Sequence, residues 1–205
     1  MTPLTMLVEA IAAGDATAAA RMLQTSPELA RERAEEGATR LAAQANCFDE
    51  INHYLYAGDT ALHIAAAAYQ RGIAMDLIAR GADVRARNRR GAEPLHYAAD
   101  GVPASAAWNP HAQTATIACL IEAGADPNAV DKSGVAPLHR AVRTRCAAAV
   151  KALLDGGADA FARNKNGSTP MLLATQNTGR GGSGSPEAKA QQTQILRLLE
   201  EHGAE

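Results

Sequence analysis

Thr60-Ala61-Leu62-His63, Glu93-Pro94-Leu95-His96, Ala136-Pro137-Leu138-His139 and Thr169-Pro170-Met171-Leu172 decide the fold, because they are four versions of one tetrapeptide. Each is preceded by a glycine: Gly58, Gly91, Gly134 and Gly167. Each is answered downstream by Gly81-Ala82-Asp83, Gly124-Ala125-Asp126, Gly157-Ala158-Asp159 and Gly203-Ala204-Glu205. Leu62, Leu95, Leu138 and Met171 are 33, 43 and 33 positions apart. A 33-residue period means stacked supersecondary units rather than one central core. The interval from the tetrapeptide to the closing glycine is longer in the second and fourth units. This places insertions at 101–115 and 177–190, between the two helices of those units.

The residues themselves predict where helices start and stop. Pro94, Pro137 and Pro170 sit where a first helical residue tolerates proline, and Thr60 and Thr169 are good N-caps. A first helix runs through small residues such as Ala65-Ala66-Ala67 and Ala98-Ala99. A second is expected to begin near Ile73, Thr116, Ala149 or Ile195, carrying the apolar pairs Leu77-Ile78, Leu120-Ile121, Leu153-Leu154 and Leu198-Leu199. The closing glycines suit the left-handed position after a helix. Glu93 and Ala136 replace the capping threonine, an expected loss of about 0.5 to 2 kcal/mol each.

These motifs resemble the ankyrin-repeat family, whose unit carries a T-P-L-H-x-A signature, a middle apolar helix and a G-A-D turn. The resemblance covers about four units, residues 55–205. It implies an all-α solenoid of stacked helix-turn-helix units joined by short β-hairpin loops. The expected divisions of one domain are an N-terminal cap at 1–29, repeats at 55–87, 88–130 and 131–163, and a C-terminal capping repeat at 164–205. Between them, 30–54 reads as a truncated or remodelled repeat, since Gly37-Ala38-Thr39-Arg40-Leu41 keeps a G-x-T-x-L skeleton only 21 positions before Leu62.

Composition narrows the function. The chain has 205 residues, Lys+Arg 20 against Asp+Glu 22, and 47% apolar residues, of which 48 are alanine. Such a chain holds itself together by close helix packing, since alanine favours helix and lets axes approach. Near-neutral charge and 3% aromatics disfavour nucleic acid, which needs a basic face and stacking platforms. Cys47, Cys119 and Cys146 form no C-x-x-C pair, so neither a disulfide scaffold nor a zinc site is expected. No secretory leader or membrane-spanning run is read, and a cytoplasmic, monomeric protein without cofactor or metal is expected.

Catalytic patterns are absent from the sequence. His63, His96 and His139 are the tempting cluster, yet the resemblance implies a structural histidine bonding the neighbouring loop backbone. Gly179 to Gly184 is glycine-rich but lacks the strand, helix and lysine of a phosphate loop, so no enzyme is expected. A pocket under the Trp108 loop, near Tyr97, His111 and Arg140, is the alternative small-molecule reading. Trp108 itself either folds back on the solenoid or is offered to a partner.

Charge is unevenly placed. Residues 1–59 hold nine acids and four bases, 60–165 nine acids and thirteen bases, and 166–205 four acids and three bases. The resemblance implies that hairpin tips and first helices form a concave face for a protein partner. Carried over by position, that face comprises Tyr56, Asp59, Arg87, Arg89, Arg90, Asp100, Lys132, Ser133, Arg143, Thr144, Lys165, Asn166 and Gln176, with Trp108 beside it. It is net basic, so a protein partner with an acidic surface is expected. A face kept charged only for solubility is the competing reading.

Overall fold

The computed structural model describes residues 2–39, 46–103, 105, 108–176 and 185–204. Among the described residues ten α-helices fall into five pairs: α1 Pro3–Ala12 and α2 Ala16–Thr25, α3 Ala61–Ala67 and α4 Arg71–Ala79, α5 Pro94–Ala99 and α6 Pro110–Glu122, α7 Pro137–Arg143 and α8 Ala147–Asp155, α9 Pro170–Thr175 and α10 Pro186–Glu201. Helices α1, α3, α5, α7 and α9 pack in that order as an inner row. Helices α2, α4, α6, α8 and α10 form an outer row. The architecture is an all-α repeat solenoid. Alanine makes the close inner row possible: all seven residues of α3 are buried, three of them Ala65, Ala66 and Ala67.

The repeated histidines join the units. Nδ1 of His63, His96 and His139 accepts the backbone N–H of Thr60, Glu93 and Ala136 at 3.1 Å each. That leaves Nε2 as the N–H, which donates to the carbonyls of Ala92 at 3.2 Å, Val135 at 3.0 Å and Ser168 at 3.2 Å in the next unit. The bond therefore needs a neutral ring. Burial holds all three histidines below their ordinary range, His96 down to about 3. Leu172 stands at the fourth such position and is exposed.

Between units, each hairpin tip is closed by two backbone bonds: the N–H of Asn88, Asp131 or Asn164 donates to the carbonyl of Ala92, Val135 or Ser168, and the N–H of Gly91, Gly134 or Gly167 donates back to the carbonyl of Asn88, Asp131 or Asn164. The side-chain oxygen of Asn88, Asp131 or Asn164 accepts two further N–H groups of its own turn. Successive tips are laced by Arg89 N–H to Ala57, Lys132 N–H to Arg90 and Lys165 N–H to Ser133. Gly91 and Gly134 are required by this lacing: both have positive φ, and a Cβ would lie 3.0 Å from Lys132 N and 2.8 Å from Lys165 N. The expected β-hairpins are thus tight turns; among the described residues the one strand pair is elsewhere, at Cys47–Phe48 and His53–Tyr54.

Three sequence expectations change. Helix α6 begins at Pro110, not near Thr116, because the Asn109 side chain caps it through Ala112 N–H at 3.0 Å. The 101–115 insertion therefore ends in helix. Helix α10 begins at Pro186 under a Ser185 cap, nine positions before Ile195. The rest of the second insertion, 177–184, lies outside the described residues, as do Arg40 and Leu41. Finally, 30–54 contains no α-helix among its described residues, and α1 packs directly on α3. Its described residues, 30–39 and 46–54, add no helix pair to the stack.

Acid should loosen the stack. The three rings titrate near their ordinary value of about 6.5 when unfolded but lower when folded, so the unfolded chain binds more protons in between. The stabilisation is complete above about pH 6.5 and is lost as pH falls toward the depressed folded values. The urea midpoint measured from pH 8 to pH 4 is expected to fall below about pH 6.5; a midpoint flat across that interval contradicts the assignment.

Candidate interaction surface

Behind the loop tips lies a buried polar network that begins at Asp59. Asp59 is 0% exposed. Its carboxylate accepts the Tyr56 N–H at 2.6 Å, the Asn88 amide at 2.8 Å and the Tyr97 hydroxyl at 2.8 and 2.9 Å. Tyr97 in turn accepts from Asn88 at 2.8 Å, and burial, followed by the Asp59 charge, pushes its hydroxyl well above the usual range. A buried carboxylate is tolerated because every side of it meets a donor. Asp59 was expected on the exposed face; it is instead a strut between units, and cannot touch a partner.

A second cluster centres on Arg140 of α7. Its guanidinium bonds Asp100 at 2.9 Å and Asp131 at 3.4 Å, joining the end of α5 to the second hairpin tip. Burial alone would raise the Asp100 carboxyl, but Arg140, helped by His53 at 3.9 Å, holds it well below the usual carboxylate range. Asp100 is half-buried in this cluster rather than free for a partner. The Arg140 side chain is 10% exposed, whereas the surface pair Lys151–Asp155 is 58% and 56% exposed.

The insertions are anchored from inside. Tyr69 and Arg145 occupy equivalent left-handed turn positions, with φ of 55° and 62°. The Tyr69 hydroxyl donates to the Asp100 carbonyl, where the first insertion leaves α5. Arg145 donates to the Ala174 carbonyl at 3.0 Å and to the Gln176 carbonyl, where the second leaves α9. Trp108 is half-buried and folds back, its indole N–H bonding the Gln113 side chain at 2.9 Å. The polar groups named for a pocket are each engaged elsewhere: Tyr97 on Asp59, Arg140 on Asp100 and Asp131, Trp108 on Gln113, while His111 is exposed. Another hollow, lined by Ala16, Ala20, Leu23, Gln70, Gly72, Ile73 and Asp76, lies between α2 and α4 on the outer row.

The remaining expected contact residues fall along one ridge and the row of inner helices beside it. Arg87, Arg89, Arg90, Lys132, Ser133, Lys165, Asn166 and Gln176 are exposed; Tyr56, Arg143 and Thr144 are half-buried. Arg87 pairs with Glu93 at 3.0 Å. Arg89 and Arg90 close on Tyr56, their guanidinium carbons 5.5 and 5.0 Å from its ring, and Arg90 also donates to the Tyr56 hydroxyl at 3.0 Å. Arg89 bonds the Ala38 carbonyl as well. The Thr144 hydroxyl is spent on the Arg140 carbonyl at 2.9 Å. What sequence reading missed is the inward turn of Asp59; the signal was Tyr97, one unit on at the position of Ile64, which brings a hydroxyl to that depth.

Two comparisons bear on the family. The family model described as the ankyrin repeat matches residues 57–89, and the model described as ankyrin repeats in many copies matches residues 120–174. No curated protein matches the chain. Among the described residues, no helix is long and apolar enough to cross a membrane.

Removing the Arg140 guanidinium would leave two carboxylates facing each other in a mostly buried site. Arg140→Ala is expected to cost about 3 kcal/mol, against under about 0.5 kcal/mol for Lys151→Ala, whose exposed pair is screened by water. Urea titrations of both variants check this, and equal losses would contradict the assignment.

Proposed function

Because the chain is an ankyrin-repeat protein, we propose that it is a non-enzymatic binding module whose basic loop-tip ridge takes an acidic surface of a protein partner. Ankyrin repeats generally serve as protein–protein interaction modules, and the family is typically non-enzymatic. One observation carries the finer reading. None of the ion pairs among the described residues involves Arg89, Arg90, Lys132 or Lys165. Asp131, the residue before Lys132, is already committed to Ser133 N–H, Val135 N–H and Arg140. The ridge thus presents positive charge that forms no ion pair among the described residues, and such a face attracts and orients an acidic partner.

Lys132 and Lys165 are the cleaner positions to alter. Arg89 and Arg90 also hold Tyr56 and Ala38, so their reversal disturbs the chain itself. Lys132→Glu combined with Lys165→Glu is expected to leave the melting temperature within about 2 °C of wild type, since exposed substitutions cost little. Affinity capture from cell lysate, read by mass spectrometry, should retain a protein on the wild type and lose it on the double variant. The same proteins retained on both would refute the ridge.

A further inference from the structure

Equivalent positions on the inner helices change exposure along the stack. Ile64, Tyr97, Arg140 and Leu173 share one place in α3, α5, α7 and α9; the first two are fully buried, Arg140 nearly so and Leu173 only half. Three residues on, Ala67 is buried, Asp100 and Arg143 are half-buried and Gln176 is exposed. An end helix such as α9 is exposed because it has one inner-row neighbour, but α7 is flanked on both sides as α3 is, and still Arg143 is half-buried where Ala67 is buried. The added element at the buried end is the excursion between α2 and α3.

That excursion is zipped at its base and then crosses the inner helices. Ala34 exchanges backbone bonds with Gly58 and Asp59, and the Ala38 N–H bonds the Leu55 carbonyl, all at 2.7 Å. Gly37 passes so close that a Cβ would lie 2.6 Å from the Leu55 carbonyl oxygen and 2.7 Å from Ala57 N. Beyond the base, Cys47–Phe48 and His53–Tyr54 pair only with each other. The His53 ring lies 4.1 Å from the Tyr97 ring, and Phe48 and Ile51 pack on the core that contains Ile64 and Tyr97. A two-residue hairpin is not stable alone, so its order depends on the surface it covers. Its hold on the helices is through side chains, as a bound peptide's would be.

We infer that residues 46–56 are an intramolecular ligand of the groove. They fill its first half, over α3 and α5, and leave the half over α7 and α9 to an extended acidic segment of a partner. The open half offers Thr144, Leu173 and Gln176, with the tip residues Lys132 and Lys165. The partner's charge rests on the function proposed above; the place of the hairpin does not. Arg89 and Arg90, clamped on Tyr56, fix the boundary between the halves.

The test uses a fluorescein-labelled peptide of ten glutamates and amide NMR of the full chain. Wild type is compared with Phe48→Ser/His53→Ala, which strips groove contacts, and with Gly37→Ala, which forces the base apart without touching the groove. In wild type the peptide should shift amides of residues 132–133, 143–144, 165 and 176 and leave 46–56 and Tyr97 unmoved. In a released variant the shifts should spread to Ala67 and Tyr97. Wild-type shifts at 46–56 or Tyr97, or an unchanged footprint in a released variant, would overturn the inference.

Cys47 supplies a readout that needs no peptide. It sits on the hairpin, half-buried, while Cys119 and Cys146 are buried. Its alkylation by iodoacetamide should quicken at least about tenfold in both variants, since docking limits access. Equal rates in all three proteins would overturn the inference. Quickened alkylation with no peptide shifts in any protein would instead count against the acidic partner while supporting the occupied groove.

Discussion

The bond from a histidine Nε2–H to a carbonyl of the next unit is the interaction on which the stack depends. Each such ring closes two gaps at once: it accepts the N–H at the start of its own helix and donates across the unit boundary. In a buried site both groups would otherwise lie unpaired, at a cost of about 1 to 3 kcal/mol each. The links repeat at His63, His96 and His139, so the units are coupled as near neighbours and the ridge of tips keeps one line. The exposed cations inherit their spacing from that register.

Polar burial elsewhere follows the same logic of complete pairing. Asp59 sits fully inside the fold because Asn88, Tyr97 and the Tyr56 backbone surround it with donors. Arg140 spans two carboxylates, and Tyr69 and Arg145 reach into the next unit to hold the carbonyls where the insertions begin. The chain thus builds variable loops on fixed points, which lets a solenoid carry surfaces its repeat does not specify.

How much of this was legible in the sequence depends on whether the signal was local. The helix pairs were, because proline, threonine and glycine act within their own turn, and the tetrapeptide period gave the stacking order. The start of α6 was also written locally, as Asn109-Pro110, a cap followed by a proline at the first helical position. Counting back eight positions from Gly124, as from Gly81 to Ile73, points to Thr116 instead and passes over that cap. Asp59 was not legible, since its burial depends on Tyr97, 38 positions away. The lie of 46–56 was not legible either: its strands are two residues long and are placed by His53 against Tyr97, a contact no local pattern encodes.

The central claim concerns the state of three imidazoles, and nitrogen-15 NMR of the histidine rings at pH 7 reads it directly. The account predicts that His63, His96 and His139 are all neutral with the proton on Nε2, and that hydrogen-bond couplings connect those N–H groups to the carbonyls of Ala92, Val135 and Ser168. Rings protonated on Nδ1, or doubly protonated imidazolium at that pH, would contradict it.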